Sequence, residues 1–255
     1  MPRVMVVTGF KKSGKTSLIE KLIGSLKRRG LKVGVIKHTM GAYEVDTRDK
    51  DTWRYKQAGA EISVLLTPEE SAFFLKSSLS VNEAMTFFSS CDIVLLEGFK
   101  ELDFAPRIIV ATEMEDVKQL SNGLEVAVVT QGLAGTLGSL SVPVFNPVDI
   151  EKVADMVEKM AMPLVAGRNC GKCGYSSCKD LARAVLAKEA EADRCVNLLS
   201  RDVQVLLDGA PLDVNPFVGN VIRNVVLGVL STLKGVGKPN TVQVQFKGNN
   251  EDEKR

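Results

Sequence analysis

A glycine-rich loop near the start of the chain has the residue types and spacing that bind phosphate. Residues Gly9-Phe10-Lys11-Lys12-Ser13-Gly14-Lys15-Thr16 fit the pattern G-x-x-x-x-G-K-[ST] completely. The glycines let backbone N–H groups turn inward around an anion, Lys15 brings a charge to the β and γ phosphates, and the Thr16 hydroxyl can complete a Mg²⁺ shell. The loop therefore predicts a site for a Mg²⁺-nucleotide.

An acidic residue after a later apolar run can serve the same metal ion. The run Ile93-Val94-Leu95-Leu96 carries Glu97 to the end of a predicted strand. In open α/β sheets, ligand-binding residues lie at the carboxyl ends of neighbouring strands. We expect Glu97 to contact Mg²⁺ through water or to position the attacking water.

The polar loop after the second predicted strand holds further candidates. Asp46 and Asp51 could touch Mg²⁺ or its waters, and a second anion could be held by the nearby cations Arg48, Lys50 and Arg54. A solvated polar loop is the alternative reading. The only histidine, His38, is interpreted as a hydrogen-bonded structural residue more readily than as a catalyst.

Four cysteines form the second chemical signal, with the spacing C-x2-C-x4-C-x16-C: Cys170, Cys173, Cys178 and Cys195. Such a cluster indicates a metal site. Four thiolates suit Zn²⁺ and iron–sulfur clusters alike, but zinc ribbons use two C-x2-C knuckles on separate hairpins. Here three cysteines share one glycine-containing loop and the fourth follows a helical pattern. The spacing favours a [4Fe–4S] cluster, with zinc as the alternative, and Cys91 is interpreted as a buried structural residue.

The elements that must position these residues alternate between strand and helix patterns. Apolar runs at 3–7, 32–37, 92–96, 107–111 and 126–130 are separated by helical patterns such as 16–29, 81–88 and 148–160. Between them, 51–58 is predicted as a helix, and 61–66 and 71–75 as strands. The order predicts an α/β fold, a P-loop NTPase with a mostly parallel sheet and helices on both faces.

The chain divides into four predicted parts. Residues 1–163 form the nucleotide-binding domain, and residues 164–200 a small helical cysteine module with a helix over 178–191. Residues 201–247 read as a small α/β segment in the order strand (203–207), helix (216–233), strand (241–246). Residues 248–255 read as a disordered tail.

Composition narrows the class of protein. The chain has 33 basic and 31 acidic residues and a net charge of +2, which gives no reason to expect nucleic acid as a partner. It has no uninterrupted apolar run of membrane-spanning length and does not begin with a secretory signal pattern. We expect a cytoplasmic protein without a membrane partner.

The ordered motifs resemble the molybdopterin-guanine dinucleotide biosynthesis B protein family. They are the P-loop, Val35-Ile36-Lys37-His38, the run from Asp46 to Ala60, and Leu96-Glu97-Gly98-Phe99-Lys100. The resemblance covers about residues 1–163. It implies a homodimeric GTP-binding protein with slow hydrolysis that assists a guanylyltransferase joining GMP to molybdopterin. It also implies that Gly9 to Ser17 bind phosphates and that Thr16, Asp46 and Glu97 lie near Mg²⁺.

The chain departs from that family at two places. Thr39-Met40-Gly41 stands where a second histidine is usual, and Thr130-Gln131 stands where many members have an acid. No N/T-K-x-D motif replaces that acid, so the sequence leaves GTP against ATP open. The cysteine segment is similar to the small [4Fe–4S] domain of electron-transfer complexes and corrinoid iron–sulfur subunits.

Three functions follow from these patterns. The first is a GTP-binding accessory protein of molybdenum or tungsten cofactor biosynthesis that carries an iron–sulfur cluster. The second is a nucleotide-gated iron–sulfur protein of electron transfer or redox sensing. The third, a small-molecule kinase, is disfavoured because no arginine-rich lid follows the P-loop domain.

Overall fold

A computed structural model describes residues 1–41, 44–132, 140–198, 203, 205–207, 210–212, 214, 216–235, 237 and 242–245. The chain divides into two compact units, Met1–Ser200 and Arg201–Arg255. The phosphate loop and all the cysteines lie in the first unit.

The first unit is built on a seven-stranded, mostly parallel sheet. Its strands are β1 (Arg3–Thr8), β2 (Val33–Lys37), β5 (Ile93–Glu97), β6 (Arg107–Val110), β7 (Glu125–Val129), β8 (Val144–Phe145) and β9 (Met162–Pro163). The spatial order is β2-β5-β1-β6-β7-β8, and β9 pairs antiparallel with the start of β1. Since the six strands on that path are parallel, their carboxyl ends share one edge, where the phosphate loop emerges from β1.

Helices cover both faces of this sheet, as the sequence predicted. Helices α1 (Lys15–Arg28) and α5 (Ile150–Met160) pack on one face, while α3 (Val81–Met85) and α4 (Met114–Leu120) pack on the other. The side chains of β1 alternate accordingly. Met5 and Val7 join the α1/α5 core, whereas Val4 and Val6 join the opposite core.

A separate hairpin lies outside the main sheet. Its strands are β3 (Ile62–Leu66) and β4 (Ser71–Leu75), which pair only with each other among the described residues, and α2 (Asp51–Gln57) precedes them. The hairpin leaves large apolar side chains exposed, including Ile62, Leu66 and Phe73.

The cysteine segment packs directly on the nucleotide-binding part. Cys178 and Cys195 share a buried cluster with Leu124 and Met162, which belong to the sheet region. The segment contains α6 (Cys178–Leu186) and a short 3-10 helix over Ala192–Arg194. The sequence prediction of one helix to residue 191 was wrong, because Lys188 adopts a left-handed φ of 60° and ends the helix. The four-part domain division stays a prediction.

The second unit contains the hairpin β10 (Val205–Leu207) with β11 (Ala210–Leu212), followed by α7 (Pro216–Ser231). The predicted helix is confirmed. The predicted strand over 241–246 is wrong for residues 242–245, which have no regular structure, while residues 241 and 246 lie outside the described residues. β10 pairs with β11, its immediate neighbour along the chain. The predicted tail, 248–255, lies outside the described residues. No helix of the described part of the chain is long and apolar enough to cross a membrane.

Ion pairs tie α1 to α5 across the surface. Arg29 binds the carboxylates of Glu151, Asp155 and Glu158 at 2.6–2.7 Å. Hydrogen bonds from Arg29, Ser25 and Arg28 lower the pKa of Glu151 from 4.5 to about 2. A carboxyl with a depressed pKa stabilises the fold above its ordinary pKa and loses that contribution as the pH falls toward its folded pKa.

We therefore expect Glu151→Gln to lower the thermal unfolding midpoint at about pH 7, and this difference to shrink as the pH falls from about 4.5 toward about 2. Thermal unfolding across that range measures it. The control is Glu20→Gln, an exposed carboxylate of α1 with no part in these ion pairs. A difference that stays constant down to about pH 2 would contradict the assignment.

Candidate functional site

The phosphate loop has the shape that an anion requires. Gly14 adopts a left-handed φ of 92° at the start of α1, and a Cβ built there meets nothing within 4 Å. A Cβ at Gly9 would lie 2.5 Å from both the Val110 carbonyl oxygen and Ser13 Oγ. The first glycine therefore permits close packing and the second opens the cradle, while the amino-terminal end of α1 points at the same place.

The two predicted metal-binding residues meet at the mouth of this loop. The Thr16 hydroxyl donates a hydrogen bond to Glu97 Oε1 at 3.0 Å. Sheet register brings them together, because Glu97 lies opposite Val7 of β1, two residues before the loop. Because the Thr16 hydroxyl donates its hydrogen to Glu97, the lone pairs of the hydroxyl oxygen remain available to coordinate a cation. This donor set of hydroxyl and carboxylate oxygen suits Mg²⁺.

Three lysines lie at this edge of the sheet, where Lys15 interacts electrostatically with Glu97 and with the other two, Lys37 and Lys100. Lys37 lies opposite Glu97 in the β2–β5 register and forms an ion pair with it at 3.2 Å. Lys15 Nζ donates to the Phe10 carbonyl at 2.5 Å and to Ser13 Oγ at 3.3 Å. Lys100 Nζ lies 3.9 Å from the centre of the Phe10 ring. Three positive charges and one negative charge leave a local excess of 3 − 1 = +2.

The surroundings of Lys15, the lysine of the phosphate loop, change its pKa. Burial lowers the pKa of Lys15 below its ordinary value, the carboxylate of Glu97 opposes the shift, and the ammonium groups of Lys100 and Lys37 add to it. Repulsion among neighbouring cations is relieved when an anion binds between them. The electrostatics thus favour a polyphosphate at this edge of the sheet.

A cleft of about 440 Å³ lies beside the phosphate loop, toward β6 and β7. On one side it is lined by Lys12, Ser13, Ser17 and Lys21, and on the other by Thr112, Thr130 and Gln131. Pockets of this size hold ligands as large as a nucleoside. The described residues that line it include lysines and hydroxyls but no carboxylate.

The polar loop at 44–54 is held together by its own side chains. Asp46 Oδ1 accepts hydrogen bonds from the Thr47 N–H at 2.8 Å and the Thr52 hydroxyl at 3.0 Å, while its Oδ2 is buried without a partner. No contact recorded among the described residues joins Asp46 to Thr16 or Glu97. The place of Asp46 near Mg²⁺ stays a prediction.

Two other residues singled out in the sequence have structural partners. The His38 ring lies against Phe99 with centroids 5.0 Å apart, and the backbone N–H of His38 donates to the Glu97 carbonyl at 2.9 Å. Arg54 forms an ion pair with Asp51 at 3.9 Å. Cys91 is partly buried against the core and lies apart from the cysteine segment in sequence.

The four clustered cysteines are brought into one neighbourhood. Cys178 and Cys195 are buried, Cys173 packs beside them, and Cys170 is exposed. Burial raises the pKa of the Cys195 thiol above its ordinary value, and the nearby thiolates of Cys178 and Cys173 raise it further. Cys170 joins the group through Asn197, whose side-chain amide donates to its sulfur at 3.4 Å.

Hydrogen-bond donors face these sulfur atoms. The Asn169 N–H donates to Cys178 Sγ at 3.2 Å, and the backbone N–H groups of Ala166 and Asn197 donate to Cys195. Such N–H groups stabilise metal-bound thiolates and tune the potential of iron–sulfur clusters. In the described residues, no group of three or more His, Cys, Asp or Glu side chains could hold a single metal ion.

Four residues that the structure places at the two candidate sites carried no assigned role in the sequence analysis. Lys37 and Lys100 stood within recognised motifs, but only strand register and loop folding show that Lys37 lies beside Glu97 and that both lysines lie near Lys15. Asn169 and Asn197 flank the first and last clustered cysteines. Their proximity to cysteines was the available signal, although sequence alone does not show which N–H faces a sulfur.

Comparisons with known proteins match both parts of the chain that hold these candidate sites. A family model described as “Molybdopterin guanine dinucleotide synthesis protein B” matches residues 4–131, and one described as “Putative Fe-S cluster” matches residues 166–196. The chain is 32% identical over 250 residues to a “Putative molybdopterin-guanine dinucleotide biosynthesis adapter protein” of Methanocaldococcus jannaschii. This alignment covers 96% of this chain and 97% of that protein. The Haemophilus influenzae adapter protein is 39% identical over 108 residues, or 41% of this chain and 60% of that protein.

Solved structures of the same name share the fold. The crystal structure of Bacillus subtilis MobB superposes with a TM-score of 0.53 at 25% identity, covering 60% of this chain and 97% of that one. A crystal structure described as molybdopterin-guanine biosynthesis protein B gives 0.50 at 26% identity, covering 61% and 97%. These structures span about three fifths of the chain, whereas the archaeal alignment extends over nearly all of it.

The raised pKa of Cys195 predicts uneven thiol reactivity in protein stripped of metal by a chelator. Alkylation requires the thiolate, so buried Cys195 should react more slowly than exposed Cys170 at about pH 8, and the gap should narrow at higher pH. Mass spectrometry after timed iodoacetamide treatment measures this. Equal rates at both cysteines across this pH range would contradict the geometry.

Proposed function

The chain belongs to the molybdopterin guanine dinucleotide synthesis protein B family, and on that premise we propose that it is a nucleotide-binding adapter in the biosynthesis of that dinucleotide. It binds GTP with Mg²⁺ at the phosphate loop, carries a [4Fe–4S] cluster on its four clustered cysteines and works with a guanylyltransferase in the cytoplasm. Phosphate groups contact residues Gly9 to Ser17. The reaction class is slow hydrolysis of the nucleotide.

The observation that carries the nucleotide proposal is the hydrogen bond between Thr16 and Glu97 beside three lysines. In this arrangement Thr16 and Glu97 hold Mg²⁺, directly or through water, while Lys15, Lys37 and Lys100 neutralise phosphate oxygens. Asp46, with an unpartnered oxygen, is proposed to approach the same metal ion. The metal would neutralise charge that develops on the β and γ phosphates.

The cleft beside the loop supports a site for the nucleoside. Gln131 and Thr130 lie at the carboxyl end of β7, where an amide and a hydroxyl can pair with the edge of a base. An amide offers both a donor and an acceptor, so recognition of guanine does not require an acid at this position. Titration calorimetry with Mg²⁺–GTP and with Mg²⁺–ATP measures the preference for GTP.

The cysteine segment supports the cluster proposal by its donor set. Cys170, Cys173, Cys178 and Cys195 are the proposed ligands of the cluster, and the N–H groups of Ala166, Asn169 and Asn197 are directed at three of their sulfurs. When bound, the cluster supplies one-electron redox chemistry. The buried sulfurs lie inside a core shared with the sheet, which fixes the segment against the nucleotide-binding part.

Self-association is supported by the β3–β4 hairpin. Its side chains Ile62, Leu66 and Phe73 are 60%, 73% and 61% exposed, an unusual number of large apolar groups on one small element. We propose that this hairpin contributes to a homodimer.

Pterin binding and the guanylyltransferase partner are tested by purifying a tagged form of the protein and identifying what is recovered with it. Recovery of a pterin and of a guanylyltransferase would support both proposals.

The first test removes the P-loop charge. Lys15→Ala should weaken Mg²⁺–GTP binding more than tenfold in titration calorimetry, because loss of a charged hydrogen-bonding group costs about 1.5–3 kcal/mol. Lys76→Ala is the matched control, since Lys76 directly follows β4 and pairs with Glu61. Unchanged affinity of the Lys15 variant would refute the nucleotide site.

The second test counts metal. Protein purified without oxygen should contain about four irons per chain, the content of the proposed cluster, and Cys178→Ser should lose them. Cys91→Ser is the control, because this fifth cysteine lies outside the segment and should leave the iron in place. One zinc per chain without iron would overturn the cluster proposal and leave the nucleotide proposal standing.

A further inference from the structure

We infer that residues 98–106, the connecting loop between β5 and β6, couple the phosphate site to the cysteine site, with Phe104 and Arg107 as positioning residues. The inference rests on the proposed function, in which the first site binds Mg²⁺–GTP and the second holds an iron–sulfur cluster. It concerns regulation: the nucleotide changes the reduction potential of the cluster, and the redox state changes nucleotide affinity.

The amino-terminal end of the connecting loop belongs to the phosphate site. It follows Glu97 directly and contains Lys100, whose ammonium lies 3.9 Å from the centre of the Phe10 ring in the phosphate loop. Lys100 is also close enough to Lys15 to lower its pKa. A polyphosphate bound among these lysines attracts Lys100, so nucleotide binding acts on the connecting loop itself.

The middle of the loop is fixed to a buried guanidinium. Arg107 is 1% exposed, and its Nη2 donates to the carbonyl of Lys100 at 3.1 Å and to the carbonyl of Leu102. Its Nη1 donates to the Leu120 carbonyl at 2.8 Å. Because one planar group holds both Lys100 and Leu102, a displacement of Lys100 is passed to the residues that follow rather than absorbed locally.

The far end of the loop touches the cysteine segment. The Phe104 ring lies so close to Gly167 that a Cβ built on this glycine would be 2.5 Å from Phe104 Cζ. Phe104 packs against two core clusters, one containing Leu102 and Leu164 and one containing Cys178 and Cys195. No side chain separates this ring from the Gly167 backbone.

The residue before Gly167 is a donor to a cluster ligand. The Ala166 N–H donates to Cys195, and the Ala166 carbonyl accepts from Asn82 at 2.8 Å. Hydrogen bonds to ligating sulfurs are a recognised determinant of cluster potential. A shift of Phe104 against Gly167 therefore changes the strength of a bond that stabilises the thiolate of Cys195.

Linkage makes the coupling measurable in two independent ways. If nucleotide binding shifts the potential, reduction of the cluster must change nucleotide affinity by the same factor. We expect at least about a fivefold effect, which corresponds to about 40 mV at 59 mV per tenfold for a one-electron couple. Redox titration of the intact holoprotein, with and without a non-hydrolysable GTP analogue and Mg²⁺, measures the first. Calorimetry on the oxidised and reduced protein measures the second.

Two variants test the route. Phe104→Leu removes the ring from Gly167, and Lys100→Met removes the charge at the phosphate end without changing the core. Both should retain iron and bind the analogue at saturating concentration, while the nucleotide-dependent shift falls below about twofold. Phe88→Leu is the control. It shortens a partly buried phenylalanine of the core that contains Val4 and Leu164 but lies outside the connecting loop, and it should keep the full shift.

The outcomes separate the two proposals. Protein that holds no iron, or that binds no nucleotide, overturns the proposed function and the coupling with it. Protein that binds both and shows the same potential with and without nucleotide overturns the coupling alone. If Phe104→Leu loses its cluster, Lys100→Met decides the route, and a full shift in Lys100→Met refutes the connecting loop as the link.

Discussion

The register between three neighbouring strands is the constraint on which the phosphate site depends. Glu97 lies between Val7 of β1 and Lys37 of β2 because all three strands run parallel and end at the same edge. A slip of one residue would turn Glu97 to the other face of the sheet and break its contacts with Thr16 and Lys37. The completely buried core on both faces of β5 makes such a slip costly, so hydrophobic packing fixes the position of a polar site.

Repulsion among the lysines of the phosphate site destabilises the fold, and neighbouring groups partly offset this repulsion. Burial is the main cause of the lowered pKa of Lys15, the carboxylate of Glu97 opposes it, and repulsion from Lys100 and Lys37 adds to it. The Phe10 ring faces one ammonium and the Phe10 carbonyl accepts from another, which partly offsets the repulsion. Cations that are not fully paired leave positive charge available to an anion at this edge of the sheet.

The sequence predicted the layers of the first unit well, because β-branched runs and 3.6-residue periodicity report burial directly. Glu97 and the P-loop could be singled out as candidates because each follows a strong strand pattern. Lys37 and Lys100 were not assigned roles, because their proximity arises from register and from the path of a nine-residue loop.

The helix starting at Cys178 was predicted too long, because sequence periodicity does not show where the backbone turns. The alanines and glutamates after Leu186 favour a helix, but the left-handed turn at Lys188 redirects the chain toward Cys195. The alternating apolar pattern at 241–246 predicted a strand, but residues 242–245 form none, and the β10–β11 pairing a few residues apart was not predicted.

The position of the cysteine segment has a consequence for how the two sites can interact. Had the segment been joined only by a flexible linker, its cysteines would have no fixed neighbour in the nucleotide-binding part. Instead, Leu124 and Met162 share its core, and Phe104 reaches it from the loop that begins at Glu97. Close-packed interiors transmit small displacements because they contain few voids to absorb them. The proposed connection therefore runs from Lys100 through Arg107 to Leu102, which shares a core cluster with Phe104, and it would meet the sulfur of Cys195 at the N–H of Ala166.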